Sequence, residues 1–389
     1  MASMPIRCQS RIELCHIMND HQMNRIQLLK PDIPPVDEIL PYLRQIDASQ
    51  WYTNFGPLVN RLEQRLADAF GAPVPSVVTT SSCTLGLELS LAALGLAPGA
   101  RVLVPALTFV ATAAAVLRAG CVPVLADVNE QTWLMDPTVA HDVLARLDLD
   151  CVMPVTTFGC RQPADVWDRF TRTTGIPVVI DAAGAFGNQE IGELTAAVFS
   201  FHATKALGIG EGGLVAARNQ AWVEQVRRLS NFGIDLSTGV STMVGTNAKM
   251  SEYHAAVGLA ALDRWLDRKT RRQHLAAAYG AALRTHCPQV RLQARPGDGS
   301  YTIMQLLLPV GVGAGEVALR LRTQGIETRA WYQPLLDQHP AFSRCVVDGD
   351  LPVARMLAPR MLGVPFHLEL DECMVGRICE ALSSTLPGA

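Results

Sequence analysis

Two side chains set the chemical question. Asp181 closes the apolar run Val178-Val179-Ile180, and Lys205 follows a second one, Ala197-Val198-Phe199-Ser200-Phe201, by way of His202-Ala203-Thr204. If both runs are buried strands of a parallel sheet, the acid and the amine meet at one sheet edge, where open α/β folds bind ligands. A carboxylate that can hold a protonated pyridine nitrogen and a lysine that can form a Schiff base are what pyridoxal 5'-phosphate (PLP) chemistry asks of a protein. Each residue also has an ordinary use. An Asp at a strand end commonly caps a helix, and a single Lys is usually surface charge. The lysine is the more informative of the two. The chain holds only Lys30, Lys205, Lys249 and Lys269, and otherwise relies on arginine, which carries charge but forms no imine.

A phosphate needs its own seat. Thr79-Thr80-Ser81-Ser82-Cys83-Thr84 leads from an apolar run into a helical pattern starting near Leu85. Free N–H groups and the positive end of the helix dipole suit an anion there. Plain capping by Ser or Thr explains the same residues when they are taken alone, and the acid and lysine are what tip the balance. The glycines Gly208-Ile-Gly210-Glu-Gly-Gly213 satisfy G-x-G-x-x-G. That dinucleotide motif needs a following helix, whereas Leu214-Val215-Ala216-Ala217 reads as a strand, so the nicotinamide reading fails and a turn after Lys205 remains.

The elements that must position these groups alternate between strand and helix from Ser76 onward, the pattern of a doubly wound sheet. Strands are expected at 77–80, 101–104, 123–126, 151–155, 177–180, 197–201 and 213–217. Helices are expected at 58–70, 85–94, 110–119, 137–146 and 163–173. The run from Ser251 to Leu283 has helical periodicity with few breakers and leads toward a smaller α/β region. The division expected is 1–22 as a disordered extension or sequence upstream of a start at Met23, 23–265 as a large domain, and 266–389 as a small one. With 389 residues, 49% of them hydrophobic, and a net charge of −3, the chain can fill two cores and shows no pull toward nucleic acid. Its longest uncharged apolar stretch, Val102 to Leu117, contains Pro105 and is too short to span a membrane. Ten cysteines lie scattered without C-x-x-C spacing, which fits buried thiols in a cytoplasmic protein. Cys8, Cys15, His16 and His21 match no standard zinc pattern, so no metal is expected.

With these pieces in chain order, the sequence resembles the DegT/StrS family of PLP-dependent sugar aminotransferases, from about Arg25 to the C-terminus. The family's N-S-G-T corresponds to Ser81-Ser82-Cys83-Thr84, and its P-x-x-T-[FWY]-x-[AS]-T to Pro105 through Thr112. D-A-A-[QH] matches Asp181-Ala182-Ala183, and S-F-x-x-[ST]-K-x-x-x-x-G-E-G-G matches Ser200 through Gly213. G-x-N-x-R-M-S-E matches Gly245 through Glu252. There are departures. Gly184 stands where the family has Gln or His beside the cofactor's 3-hydroxyl, Cys83 replaces a Gly, and Lys249 replaces an Arg.

The resemblance implies fold type I, with a mixed, mostly parallel seven-stranded sheet and a smaller C-terminal α/β domain. It implies a ping-pong transaminase in which Lys205 carries PLP and shuttles a proton and Asp181 keeps the pyridine nitrogen protonated. Phe109 covers the ring, and Ser82, Cys83, Thr84 and Ser200 hold the phosphate with the partner subunit's Asn247 in a homodimer. Glutamate as donor and a nucleotide-activated keto-hexose as acceptor are implied in the same way, and Gly184 changes the pocket beside the reacting group. Two other readings stay open at this point: amination of a non-sugar ketone or aldehyde, and a PLP-fold regulatory or binding module. Intact Asp181 and Lys205 argue against the second.

Overall fold

The computed structural model describes residues 25–72 and 76–387. The expected N-terminal extension, with Cys8, Cys15, His16 and His21, lies outside the described residues. All seven expected strands form: β1 Val77–Thr80, β2 Arg101–Pro105, β3 Val122–Ala126, β4 Cys151–Val152, β5 Val179–Asp181, β6 Ala196–Ser200 and β7 Gly213–Ala216. One half of the sheet runs β1-β7-β6-β5, and the other half contains β3-β2-β4. Parallel bridges between Val152 and Val178 and between Val155 and Asp181 join the halves. β7 runs antiparallel to both β1 and β6, while the pairs β2–β3, β2–β4 and β5–β6 are parallel. Gly213 therefore opens a strand, and the glycine run before it is a turn.

Side-chain alternation divides each strand between two cores, as the period of two requires. Val102 and Val104 face one core and Leu103 the other; Val198 and Phe199 split in the same way. The first core is covered by α3 Cys83–Ala93, α4 Val110–Arg118 and α7 Gln220–Ser230. The second is covered by α2 Pro57–Ala69, α6 Ala164–Thr174 and α8 Glu252–Asp263. Two more helices, α1 Val36–Ser49 and α5 Pro137–Leu144, complete this layer. The start of α2 has no capping side chain of its own. The buried Glu252 supplies one from α8, its two oxygens accepting from the N–H groups of Leu58 and Val59 at 2.7 and 2.9 Å.

Two elements differ from expectation. β4 stops at Val152 because Pro154 has no N–H to give a ladder, although its carbonyl still accepts from Asp181 N at 2.9 Å. The helical run after Ser251 breaks at Arg264, whose guanidinium is drawn to Asp32 and Glu38, and resumes as α9 Trp265–His286.

Beyond α9 come β8 Arg291–Leu292, β9 Met304–Leu307, α10 Ala314–Thr323, β10 Val346–Val347, α11 Pro352–Leu357, β11 Met361–Val364 and α12 Glu372–Ser383. Strands β11-β9-β8 make a small antiparallel sheet whose core includes Tyr279, Leu306, Leu321, Leu362 and Ile378. The stretch between β9 and β11 then returns to the large sheet. β10 adds parallel to β3, and Trp331, Leu335, Leu351 and Leu357 join its first core. The described cysteines are free thiols. Among the described residues no helix is long and apolar enough to cross a membrane.

Candidate active site

Five sheet strands end at one cavity of about 460 Å³. β1 delivers Ser82, Cys83 and Thr84; β2 delivers Phe109; β4 leads to the Thr156–Gly159 turn. β5 ends on Asp181 with Gly184 beyond it, and β6 ends on Ser200 with Lys205 beyond it. Parallel strands bring their carboxyl ends to the same edge, so residues far apart in sequence converge there.

Asp181 is buried. Thr112 Oγ1 donates to its Oδ2 at 2.7 Å, and the Ala183 N–H donates to its Oδ1 at 3.1 Å. Thr112 is itself held by Thr108, hydroxyl to hydroxyl at 3.1 Å, one turn earlier at the start of α4. Burial raises the Asp181 carboxyl above its usual range, and the bonds from Thr112 and Ala183 and the charge of Lys205 oppose the rise. Burial likewise lowers the Lys205 ammonium below its usual value, with Cys83 and Asp181 acting in the other direction. The Cys83 thiol is pushed well up by burial and by Asp181, so it stays protonated between the two. Among the described residues the buried carboxylate has no cation in salt-bridge contact and the lysine no hydrogen-bond partner, an arrangement that is costly to keep. Both costs are relieved by a ligand carrying a protonated ring nitrogen and a carbonyl carbon.

The anion seat has the corresponding form. Ser82 Oγ caps α3 by accepting from Leu85 N at 3.2 Å. The N–H groups of Cys83 and Thr84 lie in the first turn, where a helix offers no internal acceptor. Ser200 Oγ accepts from His202 N at 3.2 Å, which leaves its own hydroxyl proton to donate. Capping and anion binding are thus not alternatives here, because the cap is made by a side chain and the seat by the backbone. These residues fit PLP.

Phe109 is half exposed at the cavity and lies 6.3 Å, centroid to centroid, from Tyr332. Tyr332 in turn stacks on Phe158 at 5.3 Å and 6°. Gly184 has an ordinary backbone: a methyl there would meet Gly159 N at 3.4 Å. Gly159 is the constrained partner, with φ of +83° and room for no Cβ, which would come within 2.9 Å of the Gly184 carbonyl. His202 is exposed at the cavity and faces Glu211 at 3.7 Å. The Thr204 N–H donates to its Nδ1 at 3.3 Å, which puts the neutral ring's proton on Nε2. Asn247 and Lys249 do not reach the cavity. Asn247 is exposed, and Lys249 bonds Asn231 Oδ1 at 2.8 Å over the Phe232 ring.

The Thr108–Thr112 relay, Thr156 and the C-terminal wall of Arg329, Trp331 and Tyr332 are site features not expected from the sequence. The relay lies inside the Pro105–Thr112 motif, and its i, i+4 spacing is the available signal. The wall had one as well, two adjacent aromatics two residues beyond an arginine in a chain that is only 6% aromatic.

The fold and this cavity define a fold type I, PLP-dependent aminotransferase. Residues 35–383 match the DegT/DnrJ/EryC1/StrS aminotransferase family, and the chain belongs to it. It is 31% identical over 375 residues to the protein Rv3402c of Mycobacterium tuberculosis strain H37Rv, covering 92% of this chain and 89% of that one. It is 28% identical to the dTDP-4-amino-4,6-dideoxy-D-glucose transaminase of Shigella dysenteriae, over 89% of this chain and 95% of the relative. Among solved structures it resembles DesI, studied in the presence of its TDP-sugar product, with a TM-score of 0.83 and 31% identity over 94% of both chains.

Proposed function

We propose that this aminotransferase moves the amino group of glutamate to the keto group of a nucleotide-linked hexose, acting as a homodimer. The observation that carries the reading is the meeting of Lys205 and the buried Asp181 in one cavity. The acceptor class rests on relatives whose names place them on nucleotide sugars, the Shigella transaminase and DesI.

PLP, when bound, supplies the carbonyl that takes up the amino group and the ring that accepts the electron pair left on the substrate carbon. Lys205 is the residue to hold it covalently. With its amine free, Lys205 Nζ would take the proton from the donor Cα, and its lowered pKa keeps more of the amine in the neutral form that this requires. Asp181 holds the proton on the pyridine nitrogen, and Thr112 and Ala183 fix the orientation of the carboxylate. The first turn of α3 and the Ser200 hydroxyl would seat the phosphate, joined by Asn247 of the partner subunit. Phe109 would cover one ring face, and Gly184 would leave space beside the 3-hydroxyl.

The test has two arms. Borohydride reduction of the PLP-loaded protein followed by peptide mapping should label Lys205, and Lys205→Ala should abolish both the label and the bound-cofactor absorption band. Labelling of Lys30, Lys249 or Lys269 would sink the assignment. Amino transfer from ¹⁵N-glutamate should then reach nucleotide-linked keto-hexoses, whereas transfer only to simple ketones or aldehydes would overturn the acceptor.

A further inference from the structure

The mouth of the cavity carries a cation that none of these steps uses. Arg329 lines the cavity beside Trp331 and Tyr332 and is exposed. No carboxylate is paired with it among the described residues, whereas Arg291 pairs with Glu130 and Arg355 with Asp337. An unpaired guanidinium on a cavity wall is available to a ligand.

Its support is built. Arg329 N donates to Gly363 O at 3.0 Å, and Gly363 N donates back to Arg329 O at 2.7 Å, bridging the segment to β11. The Trp331 indole lies against Gly363, where a Cβ would come within 2.9 Å of Cε3 and Cζ3. The guanidinium sits over the same indole, 5.4 Å from the ring centroid. The glycine allows the indole close, and the indole holds the cation by a cation–π contact. A guanidinium fixed in this way loses less freedom on binding, and its planar fork matches phosphate oxygens.

Position selects the ligand. Asp181 is buried and Lys205 half-buried, whereas Arg329, lining the same cavity, is exposed. A donor's α-carboxylate is bonded to the carbon that exchanges its amine, so it must lie close to Lys205. The diphosphate of a nucleotide-linked sugar lies several bonds further out. We propose that Arg329, on its Trp331–Gly363 platform, anchors the diphosphate of the acceptor.

This rests on the nucleotide-linked reading of the acceptor, and the experiment separates the two. UDP and dTDP are titrated into the cofactor-loaded enzyme by calorimetry, for wild type, Arg329→Gln and Arg329→Lys, alongside single-turnover rates with glutamate. Binding to wild type should weaken about 10- to 100-fold in Arg329→Gln, the loss of one charge-assisted contact, and should recover partly in Arg329→Lys. The KM for a nucleotide-linked keto-hexose should rise with it, well beyond any change in the glutamate step. Equal binding by wild type and Arg329→Gln overturns the anchor and leaves the function standing. A loss confined to the glutamate step makes Arg329 a donor-carboxylate residue and also overturns it. If wild type binds neither diphosphate, the nucleotide-linked acceptor falls, and the anchor with it.

Discussion

Asp181 and Lys205 sit in one cavity and each is disfavoured there without its ligand, the carboxyl raised and the ammonium lowered, both first by burial. For Asp181 the sign follows from linkage. A carboxyl with a raised folded pKa carries no burial penalty below its unfolded pKa, and the penalty grows as pH rises through the folded value. In cofactor-free protein, the stability of Asp181→Asn relative to wild type should therefore shift in the variant's favour as pH rises through and above the carboxylate range. Urea denaturation at a series of pH values measures this, and a pH-independent difference would mean that Asp181 is paired in a way the geometry does not show. The same variant should keep some PLP and lose transamination by several orders of magnitude, because a charge-stabilised ring nitrogen is what makes the substrate carbon acidic. Near-normal half-reaction rates with glutamate would reduce Asp181 to a structural role.

The Thr157–Gly159 turn after β4 and the Asp181–Gly184 segment after β5 touch through their two glycines, and this contact decides what the absent side chain at 184 means. Gly159 needs its glycine for a left-handed backbone and for the close approach of the Gly184 carbonyl. Gly184 does not need its own, because a Cβ there makes ordinary contact with the turn. The space left at Gly184, beside the cofactor's 3-hydroxyl in the proposed reading, is therefore open by composition and not forced by the backbone. Gly184→Gln should fold, bind PLP as well as wild type or slightly better, and slow the acceptor half-reaction more than the glutamate half-reaction. Separate single-turnover measurements on the two halves distinguish the outcomes. Equal effects on both, or a faster acceptor step, would make Gly184 a tolerated substitution without a part in specificity.

At the scale of the whole molecule, the segment between α7 and α8 presents Phe232, Leu236, Val240 and Val244 to solvent, the last at 99% exposure. Exposed apolar side chains along one segment are what a partner surface would cover. The same segment ends at Asn247, which is exposed and outside this chain's cavity, with the next residue's carbonyl accepting from Ser81 N at 2.7 Å. A second copy covering this face would bury the apolar group and place Asn247 at its neighbour's phosphate seat. Mixing inactive Lys205→Ala with inactive Asn247→Asp should then restore roughly a quarter of the wild-type sites, since half the dimers are hybrids and each has one intact site. A fully active monomer by light scattering under assay conditions would refute the composite site.

The order of strands and helices in the large sheet, the acid at one strand end, the lysine beyond another and the strand after the glycines were legible in the sequence because they are local. Apolar runs, turn residues and hydroxyls at a helix start act through their own backbone, and a parallel sheet then brings the strand ends to one edge. What the tertiary structure decided is what depends on residues far apart meeting. The start of α2 is capped by Glu252, nearly 200 residues further on. β10 and the Arg329–Tyr332 wall return from the C-terminal third to the large sheet. Gly184 and Gly159 acquire their meaning only from their contact. None of these leaves a periodicity, because each side chain is placed by a partner from another element and not by its own neighbours in the chain.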